Sequence, residues 1–106
     1  MVMPKDSFHE TLQQEVLESW RALIDSMERS LDMLERGIQE AEGMTDLCTP
    51  EWCLATENVM DELNNRISSI SEPRWSSEED SERLRRLKKR LHDCYARYKA
   101  VSQSTA

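Results

Sequence analysis

The sequence has few of the residues that break helices or build sheets. Only two glycines and three prolines occur among 106 residues, and the aromatic residues are three tryptophans, two tyrosines and one phenylalanine. A multi-stranded sheet needs turn residues at many places, whereas glutamate, leucine, arginine and methionine favour helices. The composition therefore predicts an all-α protein, and the chain length fits a single domain.

Long hydrophobic runs and an excess of positive charge are also missing. No apolar run approaches the roughly 18 residues that span a bilayer, and the first residues have no apolar stretch of the signal-peptide kind. A net charge of -7 disfavours nucleic acid, because its phosphates would be repelled. Three cysteines without a secretion signal indicate reduced thiols. We expect an intracellular, cytoplasmic protein without a transmembrane segment, and the nucleus or nuclear envelope is the alternative location.

Motifs for catalysis or cofactor binding are absent from the sequence. It contains no glycine-rich phosphate loop, no nucleophile elbow and no HExxH pair. A zinc site would need Cys48, Cys53, His92 and Cys94, yet His92 and Cys94 would point about 200° apart on one helix. We therefore predict no enzymatic activity, no cofactor and no metal site.

Apolar residues at alternating steps of three and four predict a long first helix. These residues are Leu17, Trp20, Ile24, Met27, Leu31, Leu34, Ile38 and Ala41. Four more widen the stripe, namely Phe8, Leu12, Val16 and Leu23. Such a wide face suits contact with two neighbouring helices. Ser7 and Glu10 form a capping box at the start, and Gly43 is expected to end the helix in the left-handed conformation.

Capping residues indicate two further helices. Thr49 supplies an N-cap hydroxyl and Pro50 a first-turn proline for the second helix, and Ser76 and Glu79 form a capping box before the third. The helices are expected over about residues 8–42, 50–71 and 77–101, with a flexible tail at about 102–106. Short connections make consecutive helices antiparallel, so we predict an up-down-up three-helix bundle in one domain, residues 1–106.

The three predicted helices have unequal lengths. The first spans about 50 Å, whereas the others reach about 32 to 38 Å. The second helix folds back only as far as about Trp20, so the first three turns of the first helix lack a cover. The residues expected to bind a partner there are Phe8, Leu12, Val16 and Trp20. The occupant would be a partner helix, a second copy or a preceding segment of a longer chain, unless this end frays or the loop at residues 71–75 covers it.

Positive charge is concentrated on the third helix, and the first two helices are acidic. In one interpretation, arginines such as Arg83 and Arg90 pair with acids of the first helix at the rim of the bundle. In the other, an exposed basic surface binds an acidic protein or an anionic membrane. That basic surface would consist of Arg85, Lys88, Lys89 and His92.

The pattern over the whole chain resembles a spectrin repeat. The similarity lies in Trp20 of the first helix and in a third-helix run whose residues are Leu84, Leu87, Leu91 and Tyr95, the last at a position where the family often has an aromatic residue. The resemblance implies a left-handed three-helix bundle and a scaffold or spacer role beside cytoskeletal, nuclear-envelope or signalling proteins. We expect a non-enzymatic scaffold or adaptor that binds through the first helix. The alternatives are binding through the basic surface and assembly as an intermolecular coiled coil.

Overall fold

The computed structural model describes residues 4–104 and shows an all-α chain. Its described part contains three α-helices, which are α1 (Pro4–Gly43), α2 (Pro50–Ser68) and α3 (Glu78–Ser104), with a 3₁₀ turn at Thr45–Leu47. The molecule is an elongated rod that measures 68 × 22 × 18 Å. The expected fold class and the expected excess length of the first helix are confirmed.

α1 begins earlier than its sequence pattern predicts. Pro4 is its first residue, so the helix starts four residues before the expected position. Ser7 lies inside the helix and is not its N-cap, and its carbonyl oxygen accepts a hydrogen bond from the Thr11 hydroxyl at 2.9 Å. A proline suits the first helical position because its missing N–H would have no partner there. The expected capping box of Ser7 and Glu10 is therefore wrong.

The end of α1 lies at Gly43, as expected, but its geometry differs from the prediction. No glycine among the described residues has a positive φ, so Gly43 does not form a left-handed cap. The N–H of Met44 still donates to the Glu40 carbonyl at 2.9 Å, and the chain then continues into the 3₁₀ turn. The α-helix therefore ends where the backbone changes to the tighter 3₁₀ turn.

α2 is shorter than predicted and ends at Ser68. At its start, the Thr49 hydroxyl accepts the Trp52 N–H at 3.1 Å, which confirms the predicted N-cap. At its end, the Ser69 hydroxyl donates to the Asn65 carbonyl at 2.7 Å. The N–H groups of Ser69 and Ile70 donate to carbonyls three residues back, so the backbone tightens there and the helix ends. The predicted end was three residues too late.

α3 begins with a capping box that lies one residue beyond the predicted one. The N–H of Ser77 donates to Asp80 at 3.0 Å, and the N–H of Asp80 donates to the Ser77 hydroxyl at 3.2 Å. The predicted pair, Ser76 and Glu79, does not form the cap. Asp80 also accepts two hydrogen bonds from Arg21 of α1, at 2.9 and 3.0 Å. This contact between helices selects the later serine as the cap.

The three helices pack around one apolar core in the predicted up-down-up order. Its buried members are Trp20, Ile24, Met27, Leu31, Ile38, Ala41, Met60, Leu63, Ile67, Leu84, Leu87, Leu91, Cys94, Tyr98 and Val101. α1 and α3 run parallel and share the most extensive interface, whereas α1 and α2 make the sparsest one. The core residues are mainly those that the spacing of three and four predicts.

A ladder of arginines joins α3 to α1. Arg83, Arg90 and Arg97 are seven residues apart and each pairs with acids of α1. Their partners are Asp25 and Glu28, then Asp32 and Glu35, then Glu42. The hydrogen bond with Glu35 is the main cause that raises the pKa of Arg90 above its usual value. The expectation that these arginines pair at the rim is confirmed.

Candidate protein-interaction face

The first turns of α1 extend beyond the other two helices and expose apolar side chains. Phe8 is 60 % exposed, Leu12 46 % and Val16 48 %. These are three of the four residues that the sequence predicts at the uncovered end. Burying an apolar side chain of this size contributes about 1.5 to 3 kcal/mol, so a binding partner would gain from covering them.

Trp20, the fourth predicted residue, is buried at 7 % exposure and belongs to the core. The tryptophan packs against the other residues of the apolar core. A cleft beside it is lined by Trp20, Leu23, Met27, Asn65, Arg66, Ser69, Ile70 and Ser71. The indole N–H of Trp20 has no hydrogen-bond partner in the described part of the chain. The exposed tip of α1 therefore ends before Trp20.

The loop between α2 and α3 covers only one side of this tip. The indole N–H of Trp75 donates to the Gln13 carbonyl of α1 at 3.0 Å, and Trp75 itself stays 43 % exposed. The expected cover by this loop is therefore partial, because Phe8, Leu12 and Val16 remain at least 46 % exposed.

An open groove between α1 and α2 continues from the exposed tip. One cleft of this groove has a volume of about 430 Å³ and is lined by Ser30, Met33, Leu34, Gly37, Ile38, Trp52, Ala55, Thr56 and Val59. Met33 and Val59 at its edges are largely exposed. A Cβ atom placed on Gly37 would meet nothing within 4 Å, so this part of the helix surface is empty. The cleft beside Trp20 lies at the opposite end of the same groove.

The interface between α1 and α2 also lacks polar contacts. In the described residues 10–43 of α1 and 50–68 of α2, no side-chain hydrogen bond or ion pair joins the two helices. α2 and α3, in contrast, are joined by Tyr95, which donates to Asp61 at 2.8 Å, and by Tyr98, which donates to Glu57 at 2.7 Å. Burial raises the pKa of Tyr95 to about 12. α2 is therefore held by α3, and its side towards α1 is free of polar bonds.

The tip and the groove share one helix surface without charge. At steps of three and four along α1 it presents Phe8, Leu12, Val16, Ser19, Leu23, Ser26, Ser30, Met33 and Gly37, which we call the uncharged face. Residues at this spacing lie on one side of a helix. The acids of α1 that pair with α3 lie on another side. The sequence indicates this face through the extra apolar residues that widen the stripe of α1. The sequence has no signal for the part of the groove that α2 forms.

The predicted basic surface is exposed on α3. All four of its residues, Arg85, Lys88, Lys89 and His92, are exposed. Arg85 pairs with Glu82 at 2.6 Å, and Lys89 pairs with Asp93 at 3.4 Å. These pairs lie along α3 itself and offset part of the positive charge. A cleft between α2 and α3 includes Lys88 and His92 beside Tyr95.

The cysteines and other metal-binding residue types do not form a cluster. Cys94 is buried, and burial raises the pKa of its thiol to about 11. Cys48 and Cys53 are half-buried, and burial raises the pKa of Cys48 as well. In the part of the chain that the structure describes, no three side chains of histidine, cysteine, aspartate or glutamate come together as a metal ion would require.

Comparison of the sequence with protein-family models, with curated proteins and with solved structures gives no match. None of the described helices is both long and apolar enough to cross a bilayer. Inferences about function therefore depend on the chemistry of the exposed surfaces.

Proposed function

We propose that this chain is a non-enzymatic helical interaction module, a scaffold or adaptor that binds another helix through the uncharged face of α1. The occupant is a helix of a partner protein or of a second copy. Recognition of this kind places an amphipathic helix in an apolar groove, with anchor residues at steps of three and four. The spectrin-like role in a cytoskeletal or signalling assembly is the expectation that the sequence resemblance adds.

The observation that carries this proposal is the continuity of the exposed tip with the open groove. Phe8, Leu12 and Val16 lead along one side of α1 to Leu23 and then to the cleft at Gly37. This surface is about eight turns long and has no ionisable residue. Exposed apolar surface of this extent is typical of interaction sites.

The basic surface of α3 has weaker support as the binding site. Two of its four residues pair with acids on the same helix, Arg85 with Glu82 and Lys89 with Asp93. Binding to an anionic membrane or an acidic protein depends on several unneutralised cations close together. The uncharged face is therefore the better candidate.

Capture of binding proteins by variants of the whole chain tests this proposal. We expect Leu12→Glu/Val16→Glu to lose the proteins that the wild-type chain retains, because charge on the face prevents an apolar helix from packing there. The measurement is mass spectrometry of proteins retained from a cell extract. Leu54→Glu is the matched control, since Leu54 is 61 % exposed on α2 and does not line the groove.

The control separates a specific site from a general effect of added charge. Leu54→Glu is expected to retain the same proteins as the wild-type chain. Capture of the same proteins by all three chains would contradict the proposed face. Circular dichroism at equal concentrations confirms that the variants keep their helix content.

A further inference from the structure

We propose that a second copy of this chain occupies the groove, with the two α1 helices antiparallel and a two-fold axis near Leu23. This inference rests on the proposed function, because it names the occupant of the same face. In this dimer, the exposed tip of each copy lies in the groove between α1 and α2 of the other.

The spacing of residues along α1 supports this antiparallel register. In an antiparallel pair centred on Leu23, residues that are equally far before and after it face each other. Val16 then faces Ser30 and Leu12 faces Leu34, while Phe8 lies against Gly37, because the neighbouring Ile38 is fully buried. These three facing residues all line the same cleft of about 430 Å³.

Size complementarity supports the same register. Val16 meets Ser30 and Phe8 meets Gly37, which are small residues, and Leu12 meets the half-buried Leu34. Gly37 leaves space for the incoming Phe8 ring, since a Cβ atom there would meet nothing within 4 Å. A bulky side chain opposite a small one is the arrangement by which helices interdigitate.

Charge complementarity distinguishes a second copy from an unrelated helix. Glu15 and Arg29 are exposed, lie beside the uncharged face, and are separated by two heptads. Position 15 directly faces position 31 in this register, and flanking side chains at the same heptad position meet about two residues away from the directly facing one, so Glu15 of one copy pairs with Arg29 of the other. Neither forms an ion pair within the described part of the chain. The two-fold axis would generate this attractive contact twice.

The unequal helix lengths have a simple consequence in this arrangement. α1 has 40 residues and α2 has 19, so α2 covers about half of α1. In the antiparallel dimer, the uncovered half of each α1 packs beside the covered half of the other. Each end of the dimer would then contain four helices in cross-section, in the manner of a four-helix bundle.

Sedimentation equilibrium of charge variants tests this dimer. The wild-type chain is expected to be dimeric at about 100 µM and to dissociate on dilution. Glu15→Arg alone and Arg29→Glu alone each place like charges at both contacts, and we expect each to raise the dimer Kd by about tenfold. Both residues are exposed, so circular dichroism should show an unchanged fold.

Two rescue experiments test whether residue 15 of one copy contacts residue 29 of the other. The double variant Glu15→Arg/Arg29→Glu restores opposite charges and should dimerise like the wild-type chain. An equal mixture of the two single variants should form the heterodimer in preference to either homodimer, because only the heterodimer has opposite charges at both contacts.

The results that would contradict this dimer differ from the results that would contradict the proposed function. A wild-type chain that stays monomeric at about 100 µM would overturn the dimer. A dimer whose Kd is unchanged in both single variants, or is not restored in the double variant, would overturn the antiparallel register. In each of these cases, loss of captured proteins in Leu12→Glu/Val16→Glu would still support a binding face for another helix.

Discussion

Asp80 combines two structural roles in one buried carboxylate. It caps α3 through the N–H and hydroxyl of Ser77 and accepts two hydrogen bonds from Arg21 of α1. The residue is only 3 % exposed. Chiefly the hydrogen bonds from Arg21, and then the backbone N–H of Ser77, hold the pKa of Asp80 well below its usual range. The negative charge is thus stabilised in the folded state.

Replacing Asp80 should lower the free energy of unfolding and make that free energy less dependent on pH. Asp80→Ala removes a helix cap and the buried partner of the half-exposed Arg21, so we expect a loss of about 1 to 3 kcal/mol in the free energy of unfolding at pH 7. In the wild-type chain, the unfolded state takes up this proton first as the pH falls below about 4, because the carboxyl pKa is higher when unfolded. Stability from Asp80 is therefore lost on acidification. Urea titrations between pH 7 and acidic pH measure both effects.

Asp93 provides the control for this prediction. It lies on the same helix, is exposed, and pairs only with Lys89 at 3.4 Å. Asp93→Ala should lower the free energy of unfolding by less than about 1 kcal/mol. An acid-induced loss of stability that is the same in Asp80→Ala and in the wild-type chain would contradict the role of Asp80.

The arginine ladder determines the register of α1 against α3. Arg83, Arg90 and Arg97 meet acids at successive heptads of α1, but the heptad before Glu28 has Arg21, which pairs with Asp80. A slip of α3 by seven residues towards the start of α1 would place Arg83 beside Arg21. The reversed charge therefore disfavours that alternative packing.

Arg90 should contribute more to stability than its neighbour Lys89. Arg90 is partly buried and pairs with both Asp32 and Glu35 of α1, whereas Lys89 pairs only within α3. We expect Arg90→Ala to reduce the free energy of unfolding by about 1 to 2 kcal/mol and Lys89→Ala by less than about 0.5 kcal/mol. Chemical denaturation at low salt measures the difference. Equal losses in the two variants would contradict the ladder.

Periodicity sufficed to predict the core but not the helix ends. The positions of Ile24, Leu31 and Leu87 follow from spacing within a single helix, so they could be predicted without the structure. The start of α3 depends on a choice between adjacent serines, Ser76 and Ser77. That choice is decided by Arg21 from another helix, a contact that has no signal in local sequence.

Of the four residues predicted at the uncovered end, Phe8, Leu12 and Val16 are exposed, and their exposure depends only on how far α1 extends beyond α2. Phe8 and Leu12 lie beyond the reach of α2, and helix lengths predict this. Trp20 is buried in the core, and the end of α2 and the segment after it line a cleft beside it, so its burial depends on how the three helices pack together. The groove could not be predicted either, since its width depends on the separation of two helices.

The whole molecule has three interfaces of different character. Ion pairs join α1 to α3, and tyrosine hydrogen bonds join α2 to α3. The side between α1 and α2 has a groove whose α1 wall is uncharged and continues into the exposed tip of α1, and Glu62 and Arg66 of α2 line part of its other wall. Polar contacts hold α3 against both other helices, and the groove between α1 and α2 is left to accept one further helix.

Amide hydrogen exchange over residues 8–19 shows whether the tip of α1 is an interface. If another helix covers the tip, its exchange should slow as the protein concentration rises, while exchange of residues 82–93 on the outer part of α3 stays constant. Leu12→Glu/Val16→Glu should abolish this dependence. Rapid exchange of residues 8–19 at every concentration would contradict a self-associating tip, and equal exchange with and without the proteins that the chain captures would contradict a docking surface there.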